Sequence, residues 1–340
     1  MSNDISLLNN IDRLFGSIFT RTDITEIVVN CEKKVFYEDF TGFHEGSEEE
    51  NSRITKKACE QFSNALAAYS NQTFNENKPI MGATLPGGER VQVIMPPALD
   101  HQQFSITIRK PSSKTFELSY YEEQGFFDDL IVGEKVSEVD LKLTEFLDQN
   151  NYPGFLNLAV SSGDKNIIIV GETGSGKTTF MKSLIDSIDV DERLITIEDT
   201  REIFLKNHHN FVNLLYPQGA KSEDFLNATS LLKSCLRMRP DRILVSELRG
   251  GETFDYINAV SSGHGGSITS LHAGSVEEAL MRLTLMFLQN ETGSRIPYET
   301  VSSIIKNTID IILIIKIDHG KRKLHTLHWK DYQKRVNDDK

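Results

Sequence analysis

The residues best suited to chemistry lie in one short loop. Residues 171–178, GETGSGKT, match the pattern G-x-x-x-x-G-K-[S/T], and an apolar run at 167–170 predicts a buried strand before them. Helical spacing follows from Thr179, so the loop joins a strand to a helix. Backbone N–H groups in such a loop converge on an anion, and the helix N-terminus adds its positive dipole end.

This pattern predicts a nucleoside triphosphate site. The lysine of the pattern reaches the β and γ phosphates, and the hydroxyl after it ligates Mg²⁺. A strand-to-helix turn without a ligand needs neither the lysine nor three glycines. The residues predicted to bind the nucleotide are Gly171, Glu172, Thr173, Gly174, Ser175, Gly176, Lys177, Thr178 and Thr179.

Two further apolar strands end in carboxylates. The strand at 194–197 leads into Glu198 and Asp199, and the strand at 242–245 leads through Ser246 into Glu247. A single acid at a strand end is often a helix cap or a surface charge. In open α/β sheets, however, the carboxyl ends of the strands face the ligand crevice. Two such strands beside a phosphate loop therefore indicate acids that act on Mg²⁺ and on an attacking water.

Three basic residues have weaker local signals. His272 ends a short strand in the glycine-rich segment 263–274 and could sense a γ-phosphate, although a lone histidine is usually structural. Arg90 opens a predicted strand at 90–95, and Arg109 closes another at 104–109. An arginine at a strand end is usually solvated or ion-paired, but its guanidinium also suits phosphate oxygens. The local sequence leaves both readings open.

The periodicity divides the chain into two folded parts. Residues 1–110 predict a small α+β domain with a helix at 7–19, a hairpin at 25–38 and a helix at 52–69. Residues 111–135 read as a linker with two aromatic pairs, which either line a cleft near the nucleotide base or pack between the domains. Residues 136–330 alternate helix and strand, which is typical of a mostly parallel α/β sheet. Residues 331–340 read as a solvated tail. The elements predicted for the second part are strands at 167–170, 194–197, 211–215, 242–245, 267–271 and 309–317, and helices at 137–149, 178–188, 222–238, 251–261 and 276–287.

Composition restricts the function classes. The net charge of −12 argues against direct nucleic-acid binding. The three cysteines are far apart and form neither a metal spacing nor a disulfide framework, which favours a reducing cytoplasm. The N-terminus lacks a signal-peptide pattern. The longest apolar run, 309–317, has about half the ~20 residues that a spanning helix needs. We therefore expect a cytoplasmic protein whose membrane association is peripheral.

Four segments, in this order, resemble the secretion ATPase superfamily. They are the phosphate loop or Walker A, an acidic box IEDTREI from Ile197, a Walker B segment LRMRPDRILVSELRG from Leu236, and a histidine box GHGGSITSLHAG from Gly263. The chain looks most similar to the hexameric traffic ATPases of type IV secretion systems. Its first domain is short and ends in ITIRKPS, its linker SYYEEQGFF resembles that branch, and it lacks a tetracysteine zinc element. Ser246 stands where the family usually has glycine.

The resemblance implies a RecA-like ATPase domain behind the α+β domain and Mg²⁺-dependent hydrolysis of ATP. It implies a homo-hexamer that works with other inner-membrane secretion components. Glu247 and Glu198 would act on the attacking water, and His272 would sense the γ-phosphate. Arg90 and Arg109 would touch the phosphates across the cleft between the two domains of one subunit, with the linker as hinge.

Other functions stay open at this stage. Within the family, the alternatives are a type IV pilus motor and a type II secretion motor. The sequence does not define which substrate is transported. Outside it they are a nucleic-acid motor and a nucleotide-gated scaffold without hydrolysis.

Overall fold

Two β-sheets organise the chain, one in each half of the sequence. The computed structural model describes residues 2–101, 103–111, 117–128, 130, 137–221 and 223–332. Residues 112–116, 129 and 131–135 of the predicted linker at 111–135 and most of the predicted tail at 331–340 lie outside the described residues. Within the described residues, no helix combines the length and apolarity needed to cross a membrane.

The first half forms an antiparallel sheet covered by helices. Its elements are α1 (Ser2–Phe15), α2 (Ser17–Thr20), β1 (Glu26–Cys31), β2 (Lys34–Asp39), β3 (Gly42–Glu45), α3 (Glu48–Arg53), α4 (Lys56–Tyr69), β4 (Ile80–Thr84), β5 (Arg90–Ile94) and β6 (Gln103–Arg109). The strand order is β3-β2-β1-β6-β5-β4. The apolar faces of α1 and α4 meet over the sheet, where Phe15 and Phe62 pack edge to face with ring centroids 5.7 Å apart.

This half confirms the predicted hairpin and both later strands, and it divides two predicted helices. The helix expected at 7–19 breaks at Gly16, whose φ of 50° ends α1. The helix expected at 52–69 becomes α3 and α4, because Thr55 turns out of helical geometry and its side chain caps the N–H of Ala58. The strands β3 and β4 were not predicted. They are the two edges of the sheet, where the alternation that marks a half-buried strand is weakest.

The second half forms a seven-stranded sheet with helices around it. Its elements are α5 (Leu118–Glu123), α6 (Glu138–Asp148), α7 (Tyr152–Ser161), β7 (Ile167–Gly171), α8 (Lys177–Ile185), β8 (Leu194–Glu198), β9 (Phe211–Leu215), α9 (Ala228–Cys235), β10 (Arg242–Val245), α10 (Glu252–Ser261), β11 (Ile268–Leu271), α11 (Val276–Phe287), α12 (Tyr298–Thr308), β12 (Ile311–Asp318) and β13 (Lys321–Trp329). The order is β13-β12-β7-β11-β10-β8-β9. Only β13 runs antiparallel to its neighbour.

The predicted α/β fold class is confirmed, with local differences. All six predicted strands occur. The helix α9 starts six residues later than expected, because Asn227 and Ser230 form a capping box at its N-terminus. The helices α5, α7 and α12 were not predicted, and α5 lies in the stretch predicted as a linker.

The two halves dock on each other along β9. The carbonyl of Ala98 accepts a hydrogen bond from the N–H of Leu215 at 2.9 Å. Just before β10, the guanidinium of Arg239 binds Glu38 with its Nε 3.0 Å from Oε2. Just before β8, fully buried Arg193 donates to Asn30 Oδ1 at 2.7 Å. The first domain therefore contacts the second sheet at β9 and at the starts of β8 and β10, away from β7.

Candidate active site

The phosphate loop follows directly from the centre of the sheet. All five residues of β7 are buried, and the strand ends at Gly171. Gly174 and Gly176 have φ angles of 77° and 93°, which L side chains rarely adopt. The helix α8 then begins at Lys177. The geometry matches a strand, an open glycine loop and a helix N-terminus, as the sequence predicts.

Lys177 lies inside the loop rather than in solvent. Its Nζ donates to the carbonyl oxygens of Gly171 at 2.9 Å and Glu172 at 3.2 Å. Its side chain is largely buried. Burial lowers the pKa of Lys177, while the charge of Glu247 opposes that change. The two carbonyl oxygens thus hold the ammonium group inside the loop, and a phosphate oxygen can replace them as its hydrogen-bond acceptor.

Groups that follow three adjacent strands, β11, β10 and β8, form a connected row beside Lys177. His272, just after β11, has Nδ1 at 3.3 Å from Lys177 Nζ and Nε2 at 2.7 Å from Glu247 Oε1. Arg249 Nη2 lies 2.7 Å from the other oxygen of Glu247, and Arg249 Nη1 lies 2.5 Å from Asp199 Oδ2. Because a lysine only donates, Nδ1 is the acceptor in the contact between Lys177 and His272.

These groups line one cavity of about 380 Å³, here called the phosphate cavity. Thr173, Gly174, Gly176, Lys177, Thr178, Thr179, Asp199, Glu247, Arg249, His272 and Arg322 all line it. Of the remaining loop positions, Gly171 ends β7, Glu172 is exposed, and Ser175 is buried. The structure thus brings the predicted lysine, threonines, glutamate and histidine together.

Glu198 does not line this cavity. It is fully buried, and its Oε1 accepts hydrogen bonds from the N–H groups of Glu202 at 3.0 Å and Ile203 at 2.9 Å. Burial raises the pKa of Glu198, and these two hydrogen bonds oppose the rise. Its neighbour Asp199 faces the cavity instead, because successive side chains point to opposite sides of a strand.

Arg90 and Arg109 also lie away from the phosphate loop of their own chain. They pair across β5 and β6 and line a separate cavity of about 260 Å³ together with Arg237. Both side chains are exposed, and Arg109 Nε lies 3.6 Å from Glu26 Oε1. The structure therefore does not bring these arginines across a cleft to the nucleotide site of the same chain.

The oxygen donors of the phosphate cavity fit Mg²⁺ that arrives with a nucleotide. Thr178 and Glu247, the predicted ligands, share this cavity with Asp199. Among the described residues, no group of three or more histidine, cysteine or acidic side chains forms a metal cage. Mg²⁺ usually keeps several waters and binds one or two protein oxygens plus substrate phosphates, so a sparse oxygen set suits it.

Sequence reasoning did not assign three residues of this site. The sequence marks Asp199 as an acid at a strand end. Because Asp199 follows Glu198 by one residue, its side chain is expected on the opposite face of the strand. Arg249 follows Glu247 by two residues, but its contact with Asp199 requires β10 and β8 to be neighbours. Arg322 is the second residue of β13, and its Nε donates to the carbonyl of Gly174 at 3.3 Å. The linker aromatics Tyr121 and Phe126 pack edge to face, with ring centroids 5.2 Å apart, and line neither cavity.

Comparisons with known proteins agree with this geometry. The model of the family described as "Type II/IV secretion system protein" matches residues 133–331. The type IV secretion system protein VirB11 of Brucella abortus is 42% identical over 293 residues, covering 85% of this chain and 80% of the relative. PtlH, the type IV secretion system protein of Bordetella pertussis, is 38% identical over 303 residues, covering 89% and 88%.

One solved structure is similar over both halves of the chain. The crystal structure of the VirB11 ATPase from the Brucella suis type IV secretion system, in complex with sulphate, has 38% sequence identity and a TM-score of 0.88. The alignment covers 97% of this chain and 99% of that one. The chain therefore belongs to the type II/IV secretion system protein family, as a secretion ATPase of the VirB11 type.

Proposed function

We propose that this protein hydrolyses ATP with Mg²⁺ in a homo-hexameric ring that powers type IV secretion. The observation that carries the chemistry is the row Lys177–His272–Glu247, which connects the phosphate loop to a strand-end carboxylate through contacts of 3.3 Å and 2.7 Å. Such a row supplies a cation for the transferred phosphate and a base for the attacking water in one cavity.

Each side chain then has a stated task. Lys177 exchanges the carbonyls of Gly171 and Glu172 for β and γ phosphate oxygens. Glu247, held from two sides by Arg249 and His272, orients the attacking water and accepts its proton. Thr178 and Glu247 would hold Mg²⁺, which neutralises charge on the phosphates. His272 reports the position of Lys177 because it contacts the ammonium only while no phosphate draws it away.

Arg90 and Arg109 enter this mechanism from a neighbouring copy. Both are exposed and sit with Arg237 in a cavity that is open to solvent and separate from their own phosphate loop. A ring would place that arginine cluster against the next subunit's nucleotide. There the guanidinium groups would stabilise negative charge in the transition state.

Mixing two inactive variants tests this arrangement. Lys177→Ala and Arg109→Ala should each lose ATPase activity, and a mixture should regain part of it. A Lys177→Ala subunit supplies an intact arginine to the intact loop of an Arg109→Ala subunit. If the mixture stays as inactive as its components, the arginines do not act between copies.

The ring would act at the cytoplasmic face of the inner membrane, in peripheral association with other secretion components. It would drive substrate translocation, pilus assembly or both. Light scattering in the presence of Mg-ATP should give six chains per particle. A phosphate-release assay with and without single-stranded DNA tests the activity itself. Turnover in Lys177→Ala, or turnover that depends on DNA, would contradict the proposal.

A further inference from the structure

Arg249 connects the two acids of the phosphate cavity. Its Nη1 lies 2.5 Å from Asp199 Oδ2, and its Nη2 and Nε lie 2.7 Å and 2.9 Å from Glu247 Oε2. The acids follow neighbouring strands, Asp199 after β8 and Glu247 after β10. One planar guanidinium group therefore stands between the two carboxylates and makes charge-assisted contacts with both.

The backbone at Arg249 is fixed, whereas its side chain is open to solvent. Glu252 Oε1 accepts hydrogen bonds from the N–H of Arg249 at 2.5 Å and from the N–H of Gly250 at 2.8 Å. The Arg249 side chain is 52% exposed, but those of Asp199 and Glu247 are only 11% and 15% exposed. Arg249 thus covers two poorly solvated carboxylates, and rotation of its side chain alone would uncover them.

A divalent cation and this guanidinium group compete for the same oxygens. The other oxygen of Glu247, Oε1, already contacts His272 Nε2 at 2.7 Å. A metal ion on Glu247 Oε2 and Asp199 Oδ2 would stand in direct contact with Arg249, and like charges repel strongly where little water separates them. Mg²⁺ also dehydrates reluctantly, so two carboxylates give it little reason to displace an arginine.

We infer that Arg249 holds the cation position between Asp199 and Glu247 and must release both acids before Mg²⁺ binds there. The inference rests on the proposed Mg²⁺-dependent hydrolysis, which brings the ion to these acids. Arg249 then acts as a gate: it excludes a free divalent ion, but it yields to an ion that shares its coordination with triphosphate oxygens. The hold on Glu247 from two sides is the arrangement before metal entry, and His272 alone orients Glu247 afterwards.

A permanent orienting role is the alternative, in which Arg249 stays on Glu247 throughout the reaction. The two roles predict different metal affinities. If Arg249 is a gate, its loss makes divalent ions bind more tightly, because no contacts have to be broken first. If Arg249 only orients Glu247, its loss leaves metal affinity unchanged or weakens it.

Mn²⁺ alone is the probe, because it shares the octahedral oxygen preference of Mg²⁺ and the free ion is counted by electron paramagnetic resonance. In the full-length protein without nucleotide, Arg249→Gln should bind Mn²⁺ at least about tenfold more tightly than wild type, since charge-assisted contacts no longer compete. Adding Asp199→Asn should abolish this gain, which assigns the ion to this pair of acids.

Arg249→Lys separates contact from charge. It keeps the positive charge, but an ammonium group lacks the planar fork that binds both carboxylates. We therefore expect Arg249→Lys to bind Mn²⁺ about threefold more tightly than wild type, between wild type and Arg249→Gln. If Arg249→Lys matches wild type, only the charge matters, and the gate is refuted.

Arg282→Gln is the matched control. Arg282 is 48% exposed, pairs with Glu278 at 3.9 Å and does not line the phosphate cavity. The change removes the same charge and should leave Mn²⁺ affinity unaltered. If Arg249→Gln binds Mn²⁺ no more tightly than wild type, the inference is wrong. Failure of the proposed function looks different: the wild-type protein would release no phosphate from Mg-ATP, whatever the Mn²⁺ titrations give.

Discussion

Arg193 offers the most direct test of how the two domains hold together. It is fully buried, and it donates to Asn30 Oδ1 at 2.7 Å, to the side chain of Asn210, and to the carbonyl of Met238 at 2.9 Å. In Arg193→Met the acceptors on Asn30 and Met238 lose this donor, whereas Asn210 keeps the amide of Asn30. At about 1–3 kcal/mol for each buried unpaired group, and with the guanidinium's own desolvation cost removed, we expect a loss of about 2–4 kcal/mol of unfolding free energy.

Urea unfolding measures this loss, and the single tryptophan makes the signal specific. Trp329 is buried in the second sheet, so its fluorescence reports the domain that contains Arg193. A double-mutant cycle with Asn30→Ala should give a coupling energy of about 1–2 kcal/mol between the domains. Arg295→Met, at an exposed ion pair, is the control and should stay within about 0.5 kcal/mol of wild type. A loss below about 1 kcal/mol for Arg193→Met, or no coupling with Asn30, would refute the reasoning.

Three further predictions concern acidic residues. Glu247→Gln should lower the ATPase rate about 10²-fold or more, because it removes the proposed base; a phosphate-release assay would contradict this if the rate fell less than about tenfold. Glu198→Gln should keep most activity, while Glu198→Ala should cost about 2–4 kcal/mol of unfolding free energy in urea, since one buried and one partly buried N–H group lose their acceptor. Burial raises the pKa of Glu26 from 4.5 to about 7, so the folded state binds a proton that the unfolded state releases, and stability falls as the pH rises between these values. Glu26→Gln should therefore raise the unfolding free energy by on the order of 3 kcal/mol above pH 7 and by less at pH 6; equal effects at both pH values would argue against a raised pKa.

The sequence predicts the central sheet well because local pattern and tertiary position agree there. The strands β7, β8 and β10 are short apolar runs, and each is buried along its whole length. Few backbone conformations suit the loop after β7, so its sequence pattern predicts its geometry. The helix α7 was missed although Asn151 caps it and a proline stands in its first turn, which together are a start signal. The break at Gly16 was missed because apolar spacing continues across it.

Side-chain placement in the site was less predictable, because it depends on which strands are neighbours. Glu198 and Asp199 are adjacent in sequence, yet one caps a buried turn and the other enters the phosphate cavity. The rule that the carboxyl ends of strands face the ligand crevice points to both acids, but it does not say which side chain enters the cavity. Arg90 and Arg109 show the same limit at a larger scale. Their placement depends on where the first domain docks, and it docks along β9 rather than over the phosphate loop.

The sheet order explains why the cavity has its particular sequence of charges. The strands β7, β11, β10 and β8 are consecutive, and they present Lys177, His272, Glu247 with Arg249, and Asp199 in that order. Each cation thus contacts a carboxylate or the imidazole of His272, and Arg249 separates the two carboxylates. When phosphate draws Lys177 away, the carbonyls of Gly171 and Glu172 and the Nδ1 of His272 all lose a donor. Direct contacts link His272 to Glu247, Arg249 and Asp199, and the loop that follows β8 contacts the first domain through Arg201 and Asp100.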